Sequence, residues 1–349
     1  TASPRPCARS PPSSSPAPPG SAAPTGGIQY ALVDGLPWDH ESFKNGIRFW
    51  HSYTGDGLVN NPLTRRMNWP ARLEAKFPGV SAVGAVYKLN RDDPQFSGNV
   101  PEAQFVFDGW LCFDISATNT LITTRTASTN PVRQLLTYLL DTRFGRGVSV
   151  ENINLPSFKA GIDLCNRIVQ TGVAVSGSYW ASKGVTTRDL PLFESNQVLD
   201  TSKSYRDNIN SILDSMIGAD LIWSEDQYKF KLQVPRSYAE IVFSGPTLTD
   251  DHIIADSVAI KPPDTSSRKN SCTVKFRNEN RDFAEDTVTW PPVGSALHST
   301  YLAEDAQLPL HVEINATGIT TPQHATARAE EFVRSSRLQT AYTFSMFID

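Results

Sequence analysis

Asn130-Pro-Val-Arg-Gln-Leu-Leu-Thr-Tyr-Leu-Leu-Asp-Thr-Arg-Phe-Gly-Arg-Gly147 spells out a helix, the face it buries and the place where it stops. Asn130 offers a side-chain acceptor to the free amides of a first turn. Pro131 suits the first helical position, where its missing N–H costs nothing. Val132, Leu135, Leu136, Leu139 and Leu140 recur at the spacing of one helical face, and Gly145 and Gly147 then break the pattern. Nothing in the stretch looks catalytic; its glycines read as architecture.

Downstream the helical period continues to about Val234. Ser157 is a candidate cap for a second helix, with Phe158, Ile162, Cys165, Ile168 and Val169 on one face and Gly172 at its end. Ser204 and Asp207 open a third, whose stripe is Ile209, Ile212, Leu213, Met216 and Ile217, stopped by Gly218. Leu221-Ile222-Trp223 and Tyr228 to Leu232 then flank the polar Ser224-Glu225-Asp226-Gln227, the pattern of a hairpin. After Pro235 the period returns to two. Cys272, Val274 and Phe276 alternate with polar residues, a helix through Ala325, Ala329, Phe332 and Val333 starts at Thr321-Pro322, and Tyr342, Phe344 and Met346 alternate near the end.

Upstream, from Ile28 to about Thr124, short apolar runs alternate with turn residues. Val83, Ala85, Tyr87 and Leu89 share one side of a strand, and Phe105, Phe107 and Leu111 one side of another. The first 27 residues include 22 Pro, Ser, Ala or Gly and lack the apolar centre of a secretion signal, so they are expected to be a disordered or extended leader. The expected class is α+β, in four parts: leader 1–27, β-rich unit 28–125, helical unit 126–235 ending in a hairpin, and second β-rich unit 236–349.

Composition narrows the function. A net charge of −4 and no Lys/Arg block give no electrostatic footprint for nucleic acid. No apolar run is long enough for an integral membrane helix. Cys7, Cys112, Cys165 and Cys272 are too far apart for zinc-ligand spacing and read as reduced thiols, three of them as core residues. Gly145-Arg146-Gly147 lacks the rest of a phosphate-binding loop, and His40-Glu41 lacks a second histidine four residues from the first. Ser178 lacks the second flanking glycine of a nucleophile elbow. Neither Asp92-Asp93 nor Asp250-Asp251 can place two carboxylates across a scissile bond, and Asp220, Glu225 and Asp226 do not form a calcium loop. No catalytic, cofactor-binding or metal-ligating residue is therefore assigned. His51, His252, His298, His311 and His324 are scattered and read as surface or hydrogen-bonded residues.

The Asn-Pro-initiated leucine helix running into Arg143-Phe144-Gly145-Arg146-Gly147 resembles a segment of the central tail-hub, or tail-tip attachment, proteins of long-tailed bacteriophages. Other segments resemble that family in its usual order: Pro78-Gly79, Ala85 to Leu89, Pro101 to Gly109, Asn208 to Gly218, Asp250 to Ile254, and Arg334-Ser335-Ser336-Arg337-Leu338-Gln339. Together they span roughly Trp50 to the C-terminus. The resemblance implies β-barrel-type tail-tube domains with a helical or mixed insertion, a homotrimeric hub in the virion tail tip assembled in the host cytoplasm, and a distal tail protein ring and the tape-measure protein as partners. It implies a structural role in closing or continuing the tail tube and organising host attachment and genome ejection. Relative to the family the chain is expected to be a fragment or truncated form. Arg146, Arg328, Arg334 and Arg337 are its interface candidates. The alternatives are a tail-associated carbohydrate- or receptor-binding module and, ranked below it, a cell-wall hydrolase.

Overall fold

A computed structural model describes residues 28–33, 36–37, 47–52, 82–87, 103–107, 109–232, 253–254, 257–261, 268–337, 341–343 and 345. The leader, Leu89, the two aspartate pairs, Cys7, His40 and His252 lie outside them. The fold is mixed α+β, as the alternation of periods predicts. Its sheets have two or three strands, and among the described residues none closes into a barrel.

The first strands among the described residues are β1 (Ile28–Val33), β2 (Leu36–Pro37), β3 (Ile47–Ser52), β4 (Ala82–Tyr87) and β5 (Ala103–Phe107). β1 lies between β2 and β5, and β3 pairs with β4, all antiparallel. β6 (Cys112–Ile115) and β7 (Leu121–Thr126) form a hairpin laid against α1 (Pro131–Leu140). The Asn130 side chain accepts from the amides of Val132 and Arg133, and its own amide group donates to Ile162 O at 3.0 Å and to Asn166. One residue thus caps α1 and ties it to the next helix. Val132, Leu135, Leu136 and Leu139 are completely buried.

The stop is as tight as the start. The Asp141 carboxylate accepts from the amides of Arg143 and Phe144, while Arg146 N donates to Tyr138 O and Val148 N to Leu139 O. These bonds satisfy helix-end carbonyls that would otherwise lack partners. A Cβ at Gly145 would sit 1.9 Å from Tyr138 O, and Gly147 has φ +68, so both glycines are sterically required.

α2 (Leu155–Cys165) departs from its expectation at both ends. Asn154, not Ser157, is the cap; its side chain accepts from Ser157 N, and Pro156 occupies the first turn. The helix stops at Cys165. Ile168 and Val169 belong to β8 (Ile168–Ala174), and Gly172, with φ +63, sits inside that strand. The apolar spacing carries on in sequence past Asn166-Arg167, but Ile168 and Val169 are β-branched and enter a strand that pairs with β9 (Thr187–Pro191), Ile168 opposite Pro191 and Val169 at a bulge. Between these strands lies the short α3 (Ser178–Ser182). α4 (Tyr205–Leu213) is capped by Ser204 as expected but ends at Leu213, short of the expected stop; Met216 and Ile217 are buried in the turn that follows, and Gly218 has φ +65. β10 (Ala219–Ser224) and β11 (Gln227–Leu232) form the expected hairpin, turned by Glu225 and Asp226, both at positive φ.

β6, α1, α2, α4, β10 and β11 share one core, in which Phe158 and Phe230 stand 5.8 Å apart. Gly161 makes that approach possible, since a Cβ there would meet the Phe230 ring at 2.4 Å.

The remaining elements are β12 (Ala259–Lys261), β13 (Ser271–Asn278), β14 (Ala284–Trp290), α5 (Ala296–Glu304), β15 (His311–Asn315), α6 (Pro322–Arg337) and β16 (Ala341–Thr343). β12 pairs with β16, and β13 is central in a sheet with β14 antiparallel and β15 parallel. α6 covers β13 and β14. Cys272, Val274 and Phe276 meet Ala325, Ala329 and Val333 in a second core, the small alanines letting helix and sheet approach closely. Cys112, Cys165 and Cys272 are buried free thiols, and burial pushes Cys165 up to about 12 and Cys272 up to about 11. Those values fit packing roles, not nucleophilic ones.

Candidate interaction surface

α4 buries one face and leaves a second partly exposed. Asn208 and Ile212 point into the core, where the Asn208 side chain donates to Tyr138 Oη and Asp200 O. Arg206, Ile209, Asn210 and Leu213, spaced as one helical face, line a groove of about 660 Å3. Leu221 and Tyr228 from the β10–β11 hairpin form its other side, and Tyr205 and Arg146 stand at its rim. On β10, Trp223 lies two residues beyond Leu221 and so shares its face. Its ring is 4.7 Å from that of Tyr228.

The groove combines apolar area with unmatched positive charge. Tyr205 is 50% exposed and Trp223 52%. Arg146 lies over the Tyr205 ring at 5.7 Å, and neither Arg146 nor Arg206 forms an ion pair among the described residues. The Asp207 carboxylate beside them accepts from Ser204 Oγ at the helix cap. An aromatic and aliphatic floor with arginines at its edge is the composition favoured at protein contact surfaces.

The other three interface candidates are engaged within the chain. Arg328 donates to Met216 O at 3.3 Å and lies 3.8 Å from Asp214. Arg334 pairs with Glu330 one turn back at 2.6 Å and lies over Trp290. Arg337 is held by Asp305 at 2.8 Å, by Glu304, by Lys269 O and by the Tyr301 ring, 4.0 Å from its guanidinium carbon. It joins α6 to the end of α5. Only Arg146 of the four reaches the groove; Arg206, Tyr205 and Trp223 were missed because their exposure depends on which face of α4 and of the hairpin the core takes.

Chemistry-bearing residues do not converge here. His311 Nδ1 and Ser271 Oγ are 2.9 Å apart on neighbouring strands, far along the chain from the groove. His324 is half-buried and donates from Nε2 to Pro191 O at 2.8 Å. Among the described residues no group of His, Cys, Asp and Glu could hold a metal ion, and no helix is long and apolar enough to cross a membrane.

No protein family matches the chain, and no curated protein does. Among solved structures it is similar to a chain of the virion of a native gene transfer agent particle, at 12% identity and a TM-score of 0.49, a likeness too remote to bear on function. The match covers 93% of this chain and 65% of that one, so this chain spans less than two thirds of its neighbour's length.

Proposed function

We propose that the chain is a structural component of a phage tail tip, one that continues or closes the tail tube and organises host attachment, and that the Arg146–Arg206 groove is a contact surface for other tail subunits. In this reading residues 126–235 are an insertion between two β-rich units, and the assembly is a homotrimer beside the distal tail protein ring and the tape-measure protein. The observation that carries it is the half-buried apolar face of α4, open along the groove, beside two arginines without ion partners among the described residues. The ordered sequence resemblance supplies the kind of assembly. Replacing both groove arginines by glutamate is expected to leave the circular dichroism spectrum unchanged while preventing incorporation into tails, as read by electron microscopy of tails labelled on this chain. Wild-type chain that stays monomeric and never enters tails would refute the reading.

A receptor- or carbohydrate-binding module is the second reading, favoured by Tyr205 and Tyr228 lining one groove, with the half-exposed Trp223 ring against Tyr228. Sugar rings stack on such aromatic faces. Glycan-array binding lost in Trp223→Ala would establish it in place of the first.

A further inference from the structure

β9, the segment after it, β13's end and the first turn of α6 bring four ionisable groups together: Arg188, Glu194, Glu279 and His324. The Arg188 guanidinium spans Glu194 bidentately, at 3.1 and 2.8 Å, and reaches Glu279 at 3.0 Å. Glu194 and Glu279 are only 7% and 5% exposed. Thr320 lies on another side of Glu279: its carbonyl accepts from Glu279 N, and its hydroxyl accepts from Asn196 and donates a long hydrogen bond to Glu279 Oε2, at 3.5 Å, without adding a cation. One guanidinium therefore faces two enclosed carboxylates.

The surrounding charges do not correct that imbalance. On α6, Arg328 is turned to Met216 O and Asp214. On the 279–281 turn and β14, Arg281 and Asp286 pair with each other, and on β9 Asp189 accepts from Gly172 N. Burial holds His324 below the ordinary histidine range, so it stays neutral and adds no cation near neutral pH.

The same loop anchors the β8–α3–β9 arm. Ser176 N donates to Asn280 Oδ1, Ser176 Oγ to Asn280 O and Tyr179 N to Asp282 Oδ1. Tyr179 and Phe283 meet edge to face at 5.2 Å. Gly177, at φ +95, brings the arm against Asn280 so closely that a Cβ would lie 3.1 Å from its carbonyl oxygen. Beneath, the Trp180 ring lies 5.4 Å from the Arg188 guanidinium carbon, and both Trp180 Nε1 and Arg188 Nε are buried without a hydrogen-bond partner. Contacts of this kind are held locally and can open without unfolding a core.

We propose that the Arg188–Glu194–Glu279 cluster is a proton-operated latch, closing the β8–α3–β9 arm on residues 278–283 while Glu279 holds a proton and loosening it when Glu279 ionises. Ionisation would leave one uncompensated negative charge in an enclosed contact, which is strongly unfavourable. Burial, reinforced by Glu194 and opposed by Arg188, pushes the Glu279 carboxyl up to about 7. A carboxyl raised in the folded state gives a closure that is complete below its ordinary value of 4.5 and is lost as pH rises through about 7.

Hydrogen exchange on the full chain, corrected for intrinsic rates, at about pH 6 and about pH 8.5, reads the latch directly. Peptides covering 176–183 and 278–283 are expected to lose about tenfold in protection at the higher pH, while α1 peptides keep theirs. Glu279→Gln should abolish that difference with the arm closed at both values. Glu194→Gln should do the same by matching one carboxylate to one guanidinium, and it decides the matter if the first variant fails to fold. Equal protection of the native arm at both pH values, or an unchanged pH response in a folded variant, overturns the proposal.

Discussion

Leu135 and Leu136 on α1 are enclosed in an apolar core, whereas Glu194 and Glu279 are buried carrying charge against the partly buried Arg188. In the first region each buried atom removes apolar area from water and nothing opposes it except side-chain entropy. In the second, the ions lose hydration and recover it mainly through one another, with one long hydrogen bond from the Thr320 hydroxyl to Glu279. The α1 core can tolerate a small change of shape; the charged seam is sensitive to a single missing partner.

The largest break in this contrast should come from Arg188→Met, which leaves two carboxylates facing each other without a cation. A loss of about 3–5 kcal/mol is expected at neutral pH, measured by urea unfolding, and shrinking at acid pH where Glu279 is already protonated. Leu136→Ala should cost about 2–5 kcal/mol, but with no such pH dependence, since the side chain is uncharged and packed in an apolar core; a pH-dependent loss there would erase the distinction between the regions. Asn130→Ala stands between the two kinds. It removes a cap from buried, neutral groups and unties Ile162 O, and should cost about 1–2 kcal/mol in thermal unfolding, again independent of pH.

The same division explains what could be read in advance. α1 was legible because its cap, face and stop lie within one continuous stretch from Asn130 to Gly147. β13 and α6 were legible for the same reason, each showing its own alternation or stripe. The end of α2 was not, because Ile168 and Val169 suit a helix face and a strand equally well, and only pairing with β9 decides between them. α5 buries no residue fully and so has no stripe to find, and β15's parallel partnership with β13 joins residues about 40 positions apart. At the interaction groove Arg146 could be singled out, but Arg206 and Trp223 could not, since a charged or aromatic letter does not say which side faces water. The seam was least visible of all. Glu194 and Glu279 look like surface glutamates in sequence, and they become a charged pair only when two separately encoded segments close on Arg188.

The hydrogen bonds that end α1 have a further effect beyond closing the helix. Because Arg146 N is fixed to Tyr138 O and Val148 N to Leu139 O, the backbone that carries the Arg146 side chain moves only with the core itself. A partner entering the groove would meet a cation whose anchoring point is already immobilised, so less conformational entropy is lost on association than with an arginine on a free loop. The glycine that no other residue can replace at position 145 thus acts on binding through rigidity, although it touches no partner.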